Sequence, residues 1–505
     1  MRRPRLKLIT IPWELEVPTL GLASLAAVTP PDFDIAIVDL LRERLHLDEE
    51  VDLVGITAST PRITAAYALA DLYRARGATV VLGGHHATAM PREALEHADA
   101  VVCGEGEVSW RRLCDDFLVA KSRVHGVYRD PPPDLGTLPQ PRLDLMHLER
   151  YGRFYFPLIA SRGCPEVCTF CFAKRMTVGY RTYPIAHVLE QVRRRPKSML
   201  SCYFVDDNLP ADPDYSRELF AALAKTDVRF GMQARNEFSQ DVTNLEQARA
   251  AGCVLISSGY ESVNQSTLEG TSKRADVRDY REVIANIFRV GMLPSGNWMF
   301  GFDWDTPDIF QRTLDFLDST DMMHCSFTTE IPFPGTSAFR KYEREGRLLT
   351  VNYDDYVGKD GVVVRPKQMS PEQLRDGVRW LAREYYSLAR SVRRSRKGFA
   401  NHKLPSLGGP LLKGPAYLGL NAFQWWQWHY RMVPSLQWLY RRLVSVNKYR
   451  FFSDLFRGTN FWASQAPEVG GPAHHSDWAF FSKQGFKRGR QFPLVEATEV
   501  RAPRA

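Results

Sequence analysis

ASRGCPEVCTFCF, residues 160–172, carries three cysteines on one short segment. Cys164 and Cys168 have three residues between them, and Cys168 and Cys171 have two. The apolar run 156–160 before them predicts a strand, so the thiols lie on the loop that follows. Thiolates this close together can converge on one iron–sulfur cluster, and three thiolates leave one iron of a four-iron cluster open. The segment therefore predicts a 4Fe-4S site.

Two other uses of these cysteines fit less well. Disulfide pairing leaves one of the three unpaired, and no upstream stretch has the pattern of a secretory signal. A zinc site calls for a fourth nearby Cys or His, but His187 lies sixteen residues beyond Cys171. The other five cysteines are scattered singly, which is typical of a reducing compartment. We therefore expect a cytoplasmic protein.

The composition is that of a globular protein with more than one domain. Of 505 residues, 44% are hydrophobic and 25% are charged, and the net charge is +8. A chain of this length can form two or three domains, each with its own core. No uninterrupted apolar run approaches the roughly 18 residues that a membrane span needs. The sequence therefore predicts no membrane-spanning segment.

The cysteine pattern Cx3CxPheCys after a first strand resembles that of the radical S-adenosylmethionine (SAM) superfamily. The resemblance implies that SAM binds the open iron and is cleaved reductively to methionine and a 5'-deoxyadenosyl radical. It also implies that Phe170, between the second and third cysteines, packs beside the adenine. From the sequence alone Phe170 can equally be a core aromatic next to a loop, and both can be true.

Residues 151–350 carry six apolar strand-like runs separated by helical stretches, which fits the partial (β/α)6 barrel of radical SAM proteins. Polar residues at the carboxyl ends of barrel strands are candidates for binding. A cationic amine prefers carboxylate oxygens, and arginine can clamp a carboxylate with two hydrogen bonds. Lys273 and Arg274 are expected to be solvated, whereas Cys325 can be a core residue or face into the barrel. The resemblance to the strand-end motifs of radical SAM proteins implies that the SAM-binding residues are Asp207, Asn208, Gln233, Arg235, Glu261, Ser262 and Gly301.

Residues 1–130 predict a Rossmann-like α/β domain. Short apolar runs, such as 6–10 and 79–83, alternate with amphipathic segments such as 62–76, which favours a parallel sheet with helices on both faces. Ligands of such sheets bind outside the carboxyl ends of the strands. A dinucleotide is disfavoured because no GxGxxG motif is present. A proline-rich linker over 131–150 follows this domain.

The loops of this first domain resemble those of the cobalamin-binding domain that precedes the radical SAM domain in one large subgroup. The shared motifs are Pro-x-Leu-Gly-Leu, Gly-Gly-x-His followed by Pro-x-Glu-Ala-Leu, and Gly-Glu-Gly-Glu. The DxHxxG motif of other cobalamin enzymes is absent, so we expect base-off cobalamin with no histidine ligand from that motif. The predicted cobalamin-binding residues are Leu20, Gly21, Thr57, Ser59, Gly83, Gly84, His85, Gly104, Glu105 and Gly106.

Residues 351–505 predict a mainly helical extension that is basic and aromatic. Ser370 and Gln373 form a capping-box pattern that opens a long helix to about Arg394. From 385 to 453 there is no Asp or Glu, and twelve Lys and Arg occur. Aromatic and basic helices favour peripheral contact with the inner membrane face or with a lipid substrate, although a helical cap on the barrel remains an alternative and nucleic acid is less favoured. The aromatic residues are Trp425, Trp426, Trp428, Tyr430, Trp438 and Tyr440.

The resemblance implies a cobalamin-dependent radical SAM enzyme. In its simplest form it is a C-methyltransferase, which uses a 5'-deoxyadenosyl radical and methylcobalamin to methylate an unactivated carbon. A bulky hydrophobic substrate, such as a lipid, a tetrapyrrole or a natural-product intermediate, is suggested by the aromatic extension. A cyclase or ring-rearranging enzyme that uses cobalamin without methyl transfer remains the alternative. An electron donor such as flavodoxin or ferredoxin is the expected protein partner.

Overall fold

The computed structural model describes residues 2–401 except 12–17, 41, 44, 152–155, 200, 323, 359 and 360, and only the backbone of 395–401. Two six-stranded parallel sheets and one short antiparallel hairpin are found in this part of the chain. Helices connect the strands of both parallel sheets. The predicted α/β class is therefore confirmed.

The first sheet has the strand order β2-β1-β3-β4-β5-β6. Its residues alternate between two cores, since Leu6 and Leu8 pack with Trp110 on one side, and Ile9 packs with Ile56 on the other. Burial on both faces explains why its strands are near-continuous apolar runs. The last strand was not predicted. The elements are β1 (Arg5–Ile11), α1 (Leu20–Val28), β2 (Asp34–Asp39), β3 (Leu53–Ala58), α2 (Ile63–Arg74), β4 (Thr79–Gly83), α3 (His85–Ala89), α4 (Pro91–His97), β5 (Ala100–Val102), α5 (Glu107–Val119) and β6 (Gly126–Tyr128).

The second sheet contains all six predicted strands, in the order β14-β13-β12-β11-β10-β7. The strands β7 and β14 are its edges, so the sheet stays open, as in a partial barrel. The hairpin β8–β9 encloses the cysteine loop and was not predicted. The elements are β7 (Phe156–Leu158), β8 (Ser161–Arg162), α6 (Ala173–Met176), β9 (Arg181–Thr182), α7 (Ile185–Arg193), β10 (Cys202–Phe204), α8 (Pro213–Leu223), β11 (Phe230–Gln233), α9 (Val242–Ala250), β12 (Cys253–Glu261), α10 (Gln265–Gly270), α11 (Tyr280–Arg289), β13 (Leu293–Phe300), α12 (Ile309–Thr320), β14 (His324–Thr329) and α13 (Ser337–Arg344).

The helical extension begins with two helices rather than the single predicted one, namely α14 (Pro371–Tyr385) and α15 (Leu388–Asn401). The capping box is present, because the Ser370 hydroxyl accepts from the Gln373 amide and the Gln373 side chain accepts from the Ser370 amide. The helix stops because the buried Tyr386 hydroxyl donates to the Cys325 carbonyl at 2.6 Å and accepts from the Cys325 amide at 3.1 Å. This tertiary contact overrides the helical pattern.

The helix α14 completes the core of the second sheet. Leu374, Val378 and Leu381 are buried in one cluster with Phe300 and Phe327 of the barrel strands. The predicted aromatic residues 425–440 lie outside the described part of the chain. Among the helices that the structure describes, none is both long enough and apolar enough to cross a membrane.

Candidate active site

The cysteine loop is held between the barrel and the helix that follows it. The Thr169 amide donates to the Thr271 carbonyl at 3.0 Å, and the Thr169 carbonyl accepts from the Ala338 amide at 3.0 Å. Gly163 has a φ of +82°, and a Cβ there would lie 2.1 Å from the Gly179 carbonyl oxygen. Only glycine therefore fits at the start of the loop.

The donor set of the loop fits an iron–sulfur cluster. Burial raises the pKa of each thiol, that of Cys171 to about 11, while the amides of Glu166 and Ala173 donate to Cys164 and Cys171 respectively. Such amide donors stabilise thiolate ligands and tune clusters. Among the described residues, no three or more His, Cys, Asp or Glu side chains are grouped closely enough to hold a metal ion as they stand. All eight cysteines are free.

The three polar residues after β10 differ in their burial and in their hydrogen bonds. Asp206 is 2% exposed, and its Oδ1 accepts from the Ser161 amide, from the Ser161 hydroxyl at 2.6 Å and from the Ala160 amide at 3.1 Å. Asp206 therefore fixes the entry to the cysteine loop. The side chain of Asp207 is exposed, and surrounding protein raises the pKa of its carboxyl. Buried Asn208 accepts from the Arg235 amide at 3.3 Å.

The predicted residues at the end of β11 lie beside the cysteine loop. Gln233 is half-buried as the last residue of the strand. The guanidinium of Arg235 makes two hydrogen bonds to Glu237, at 2.6 and 3.2 Å, and lies 3.9 Å from Glu166 of the cysteine loop. The two hydrogen bonds that Arg235 was expected to make with a carboxylate are thus made with Glu237 of the same chain.

Lys273, which was predicted to be solvated, forms a buried ion pair with Glu261 at the end of β12. The Lys273 ammonium is 3.2 Å from the Glu261 carboxylate, and these side chains are 8% and 10% exposed. Lys273 also lowers the pKa of Cys168, against the larger effect of burial. The prediction that Lys273 is solvated is wrong, because its ammonium pairs with Glu261 beside the cysteine loop. Ser262 is fully buried, and Arg274 is exposed as expected.

The turn after β13 explains Gly301. Its φ is +102°, and a Cβ there would lie 2.5 Å from Leu374 of α14. Its amide and that of Phe302 donate to Asp305 at 3.0 and 3.1 Å, and burial raises the pKa of Asp305 to about 6. The Phe302 ring is 5.9 Å from the ring of Phe170, so this turn contacts the cysteine loop.

Loops of the first domain offer groups suited to a large ligand. The Ser59 hydroxyl oxygen is buried and lacks a hydrogen-bond partner among the described residues. Gly84 has a φ of +92°, and a Cβ there would lie 2.5 Å from the Thr57 hydroxyl. An orphaned hydroxyl beside a glycine that keeps the backbone open fits the predicted cobalamin site. The predicted residues Leu20 and Gly21 form the first turn of α1, and Gly83 ends β4.

The two adjacent histidines have different surroundings. His86 is fully buried, with its ring nitrogens 3.2 Å from the Thr60 hydroxyl and 3.1 Å from Glu93. His85 is exposed, its ring lies 5.2 Å from that of Phe172 on the cysteine loop, and desolvation by surrounding protein lowers its pKa. His86 is therefore structural, and His85 lies between the two sheets' loops.

The Gly-Glu-Gly-Glu loop contacts the second domain. Glu105 and Glu107 form ion pairs with Arg162 of β8, and Glu105 also pairs with Arg181 of β9. The Glu105 carboxylate is thus paired with two arginines, whereas Gly104 and Gly106 are partly exposed to solvent. Gly104 has a φ of +74°.

A polar row on the inner face of the barrel was not predicted from the sequence. Half-buried side chains of β12–β14 alternate with buried ones that pack against the outer helices. The Asn297 amide donates to the Ser257 hydroxyl at 3.2 Å, and the Ser295 hydroxyl lies 2.6 Å from His324 Nδ1. Burial lowers the pKa of His324 to about 4. Polar residues at alternate positions of these strands were the available signal.

Cys325 faces the opposite way. Its side chain is 1% exposed and packs in the outer core with Tyr385 and Tyr386. The interpretation of Cys325 as a small core residue therefore agrees with its position, and the inward-facing alternative does not.

Known protein families match both domains of the chain. The B12 binding domain model matches residues 6–113, and the radical SAM superfamily model matches residues 158–317. The bacteriochlorophyllide d C-8(2)-methyltransferase of Chlorobaculum tepidum is 30% identical over 363 residues, which cover 67% of this chain and 78% of that protein. The chain belongs to the cobalamin-dependent radical SAM methyltransferase family.

The chain is also similar to a cyclase and to a solved radical SAM enzyme. The anaerobic magnesium-protoporphyrin IX monomethyl ester cyclase of Cereibacter sphaeroides is 25% identical over 381 residues, which cover 68% of this chain and 61% of that protein. The solved cobalamin-dependent SAM radical enzyme OxsB, with aqua-cobalamin and SAM bound, has a TM-score of 0.62 and 14% identity, covering 88% of this chain and 75% of that one. The structural likeness shows that the two chains share a fold.

Proposed function

We propose that the protein methylates an unactivated carbon of a bulky hydrophobic substrate, with a tetrapyrrole as the first candidate. The observation that carries the proposal is the 30% identity to a bacteriochlorophyllide methyltransferase, because the match covers 67% of this chain and 78% of that protein. When bound, the 4Fe-4S cluster and SAM supply a radical that removes hydrogen from carbon, and cobalamin supplies a methyl carrier. The chain itself must hold these groups together and exclude water.

The cysteine loop and the strand ends divide this work. Cys164, Cys168 and Cys171 would hold the cluster, and the paired charges of Glu261 and Lys273 lie near Cys168 of the cysteine loop. Asp207 carries an exposed carboxylate that can receive the SAM amine. The other predicted SAM contacts are Phe170, Asn208, Gln233, Arg235, Ser262 and Gly301.

The N-terminal loops would hold cobalamin against this loop. Thr57, Ser59 and Gly84 provide hydroxyls and open backbone, and His85 extends towards Phe172. The Arg175 side chain, after the cysteine loop, donates to the Gly335 carbonyl of the barrel. The cysteine loop thus contacts both domains, while its Cys171 stays exposed.

Partners and location follow from the chemistry that we propose. Reductive cleavage of SAM needs an electron, and a flavodoxin or ferredoxin is the expected donor. We propose a cytoplasmic enzyme that binds the inner membrane face peripherally through the aromatic and basic extension. Nucleic acid is not an expected partner.

Cyclisation without methyl transfer is the second candidate. The similarity to the magnesium-protoporphyrin cyclase favours it specifically, because that match covers 68% of this chain. Both candidates use the same site, so the residues of the cluster and SAM sites do not separate them. The product distinguishes them, since methylation adds one carbon and cyclisation adds none.

Product mass tests the proposal. The reconstituted full chain would be incubated anaerobically with cobalamin, a reductant, methyl-deuterated SAM and separate tetrapyrrole and lipid extracts. We expect one tetrapyrrole product heavier by one labelled methyl. An altered product without label would favour cyclisation, and a labelled product found only in the lipid extract would replace the tetrapyrrole by a lipid substrate.

A further inference from the structure

A buried charge network links the loops that flank the two cofactor sites. Arg162, two residues before Cys164, donates to Glu105 at 2.8 Å and to Glu107 at 2.5 and 3.1 Å. The side chains of Arg162, Glu105 and Glu107 are 11%, 5% and 6% exposed. The three side chains are therefore largely shielded from water.

Arg181 balances the charge of the network. It pairs with Glu105, and it also donates to the Pro133 carbonyl at 2.8 Å. Arg162 and Arg181 are partners across the β8–β9 hairpin, so two cations on one hairpin face two anions on one loop. Removing Arg162 takes away the partner that Glu107 has in the network, which is far more costly for a buried carboxylate than loss of a surface pair.

The network is rigidly connected at both ends. On the first domain, the Gly104 amide donates to the Thr88 hydroxyl at 3.0 Å, and Thr88 lies on α3, the helix that His85 begins. On the second, Gly163 separates Arg162 from Cys164 and is packed so tightly that a Cβ would meet the Gly179 carbonyl. The backbone between Arg162 and Cys164 is therefore short and tightly packed.

We propose that Arg162 is a positioning residue that couples the two cofactor sites, so that cobalamin binding in the first domain strengthens SAM binding at the cluster. The proposal depends on the two cofactor domains and not on the identity of the substrate. A ligand that displaces the Gly104–Glu107 loop also displaces its arginine partners, and through the tightly packed Gly163 these displace the cysteine loop. Coupling of this kind is reciprocal, so SAM strengthens cobalamin binding by the same factor.

The dissociation constant of SAM, measured with and without cobalamin, tests the coupling. The full chain with reconstituted cluster is used, SAM binding is followed by equilibrium dialysis, and the SAM-induced change in the electron paramagnetic resonance of the reduced cluster is recorded in parallel. In the native protein we expect cobalamin to lower the dissociation constant about tenfold. In Arg162→Gln we expect a ratio of about one, with iron content per chain unchanged.

Two further variants complete the test. Glu107→Gln alters the network from the first domain and leaves the cysteine loop intact, so it should lose the coupling in the same way. Arg112→Gln, on the same helix as Glu107, removes a half-exposed pair with Asp130 and should keep the tenfold ratio. A native ratio of one, or an unchanged ratio in both network variants, would overturn the proposal. Equal loss in Arg112→Gln would also overturn it.

Discussion

Asp206 offers a quantitative test of how the cysteine loop is held. Replacing it by alanine leaves the amides of Ala160 and Ser161 buried without their acceptor. Each unsatisfied buried donor costs about 1–3 kcal/mol, so we expect local stability to fall by about 3 kcal/mol. In Asp206→Asn an oxygen acceptor remains, and we expect a loss of about 1 kcal/mol. These values correspond to about 150-fold and fivefold larger equilibrium constants for local opening.

Amide hydrogen exchange measures this opening directly, because exchange reports local stability. The apoprotein would be digested after exchange, and the peptide spanning residues 157–163 would be compared among variants by mass spectrometry. Asp207→Ala is the matched control, since its exposed side chain should change exchange of this peptide little. Unchanged exchange in Asp206→Ala, or equal acceleration in Asp207→Ala, would refute the reasoning.

Three further predictions concern the cluster, the backbone and a buried acid. Cys171→Ala should abolish iron binding after reconstitution, whereas Cys325→Ala should retain it, and iron loss in both would contradict the site. Gly163→Ala should lower the melting temperature more than Gly179→Ala, because only the first Cβ meets backbone; the reverse order would contradict the packing. Burial raises the pKa of Glu330 from its ordinary value near 4.5 to about 8, so the folded protein keeps a proton that the unfolded chain releases. Its contribution to stability is fully present below about pH 4.5 and is lost as pH rises through 8. The free energy of unfolding, measured by urea titration, should therefore depend less on pH between 6 and 9 in Glu330→Gln than in the native protein. An unchanged pH dependence would contradict this.

Much of the fold follows from local pattern. The short apolar runs that predict strands correspond to β1–β5 and to the six barrel strands, because parallel strands covered on both faces need no polar residue to interrupt them. The start of α1 at Leu20 and the capping box at Ser370 also follow from neighbouring residues. In each case the deciding contacts lie within a few residues along the chain.

Other features depend on contacts that are remote in sequence. Lys273 is buried because Glu261 lies opposite it, and Arg162 meets Glu105, which is 57 residues earlier. The long helix breaks at Tyr386 because its hydroxyl binds backbone of β14, 61 residues earlier. Local periodicity carries no information about such partners, so the sequence predicts the candidate residues without their pairing.

The most direct test of the central claim is the stoichiometry of one anaerobic reaction with methyl-deuterated SAM, cobalamin and a tetrapyrrole substrate. We predict that 5'-deoxyadenosine and S-adenosylhomocysteine form together with a product that carries one labelled methyl, and that Cys171→Ala forms none of them. Deoxyadenosine accompanied by an altered but unlabelled product would contradict methyl transfer.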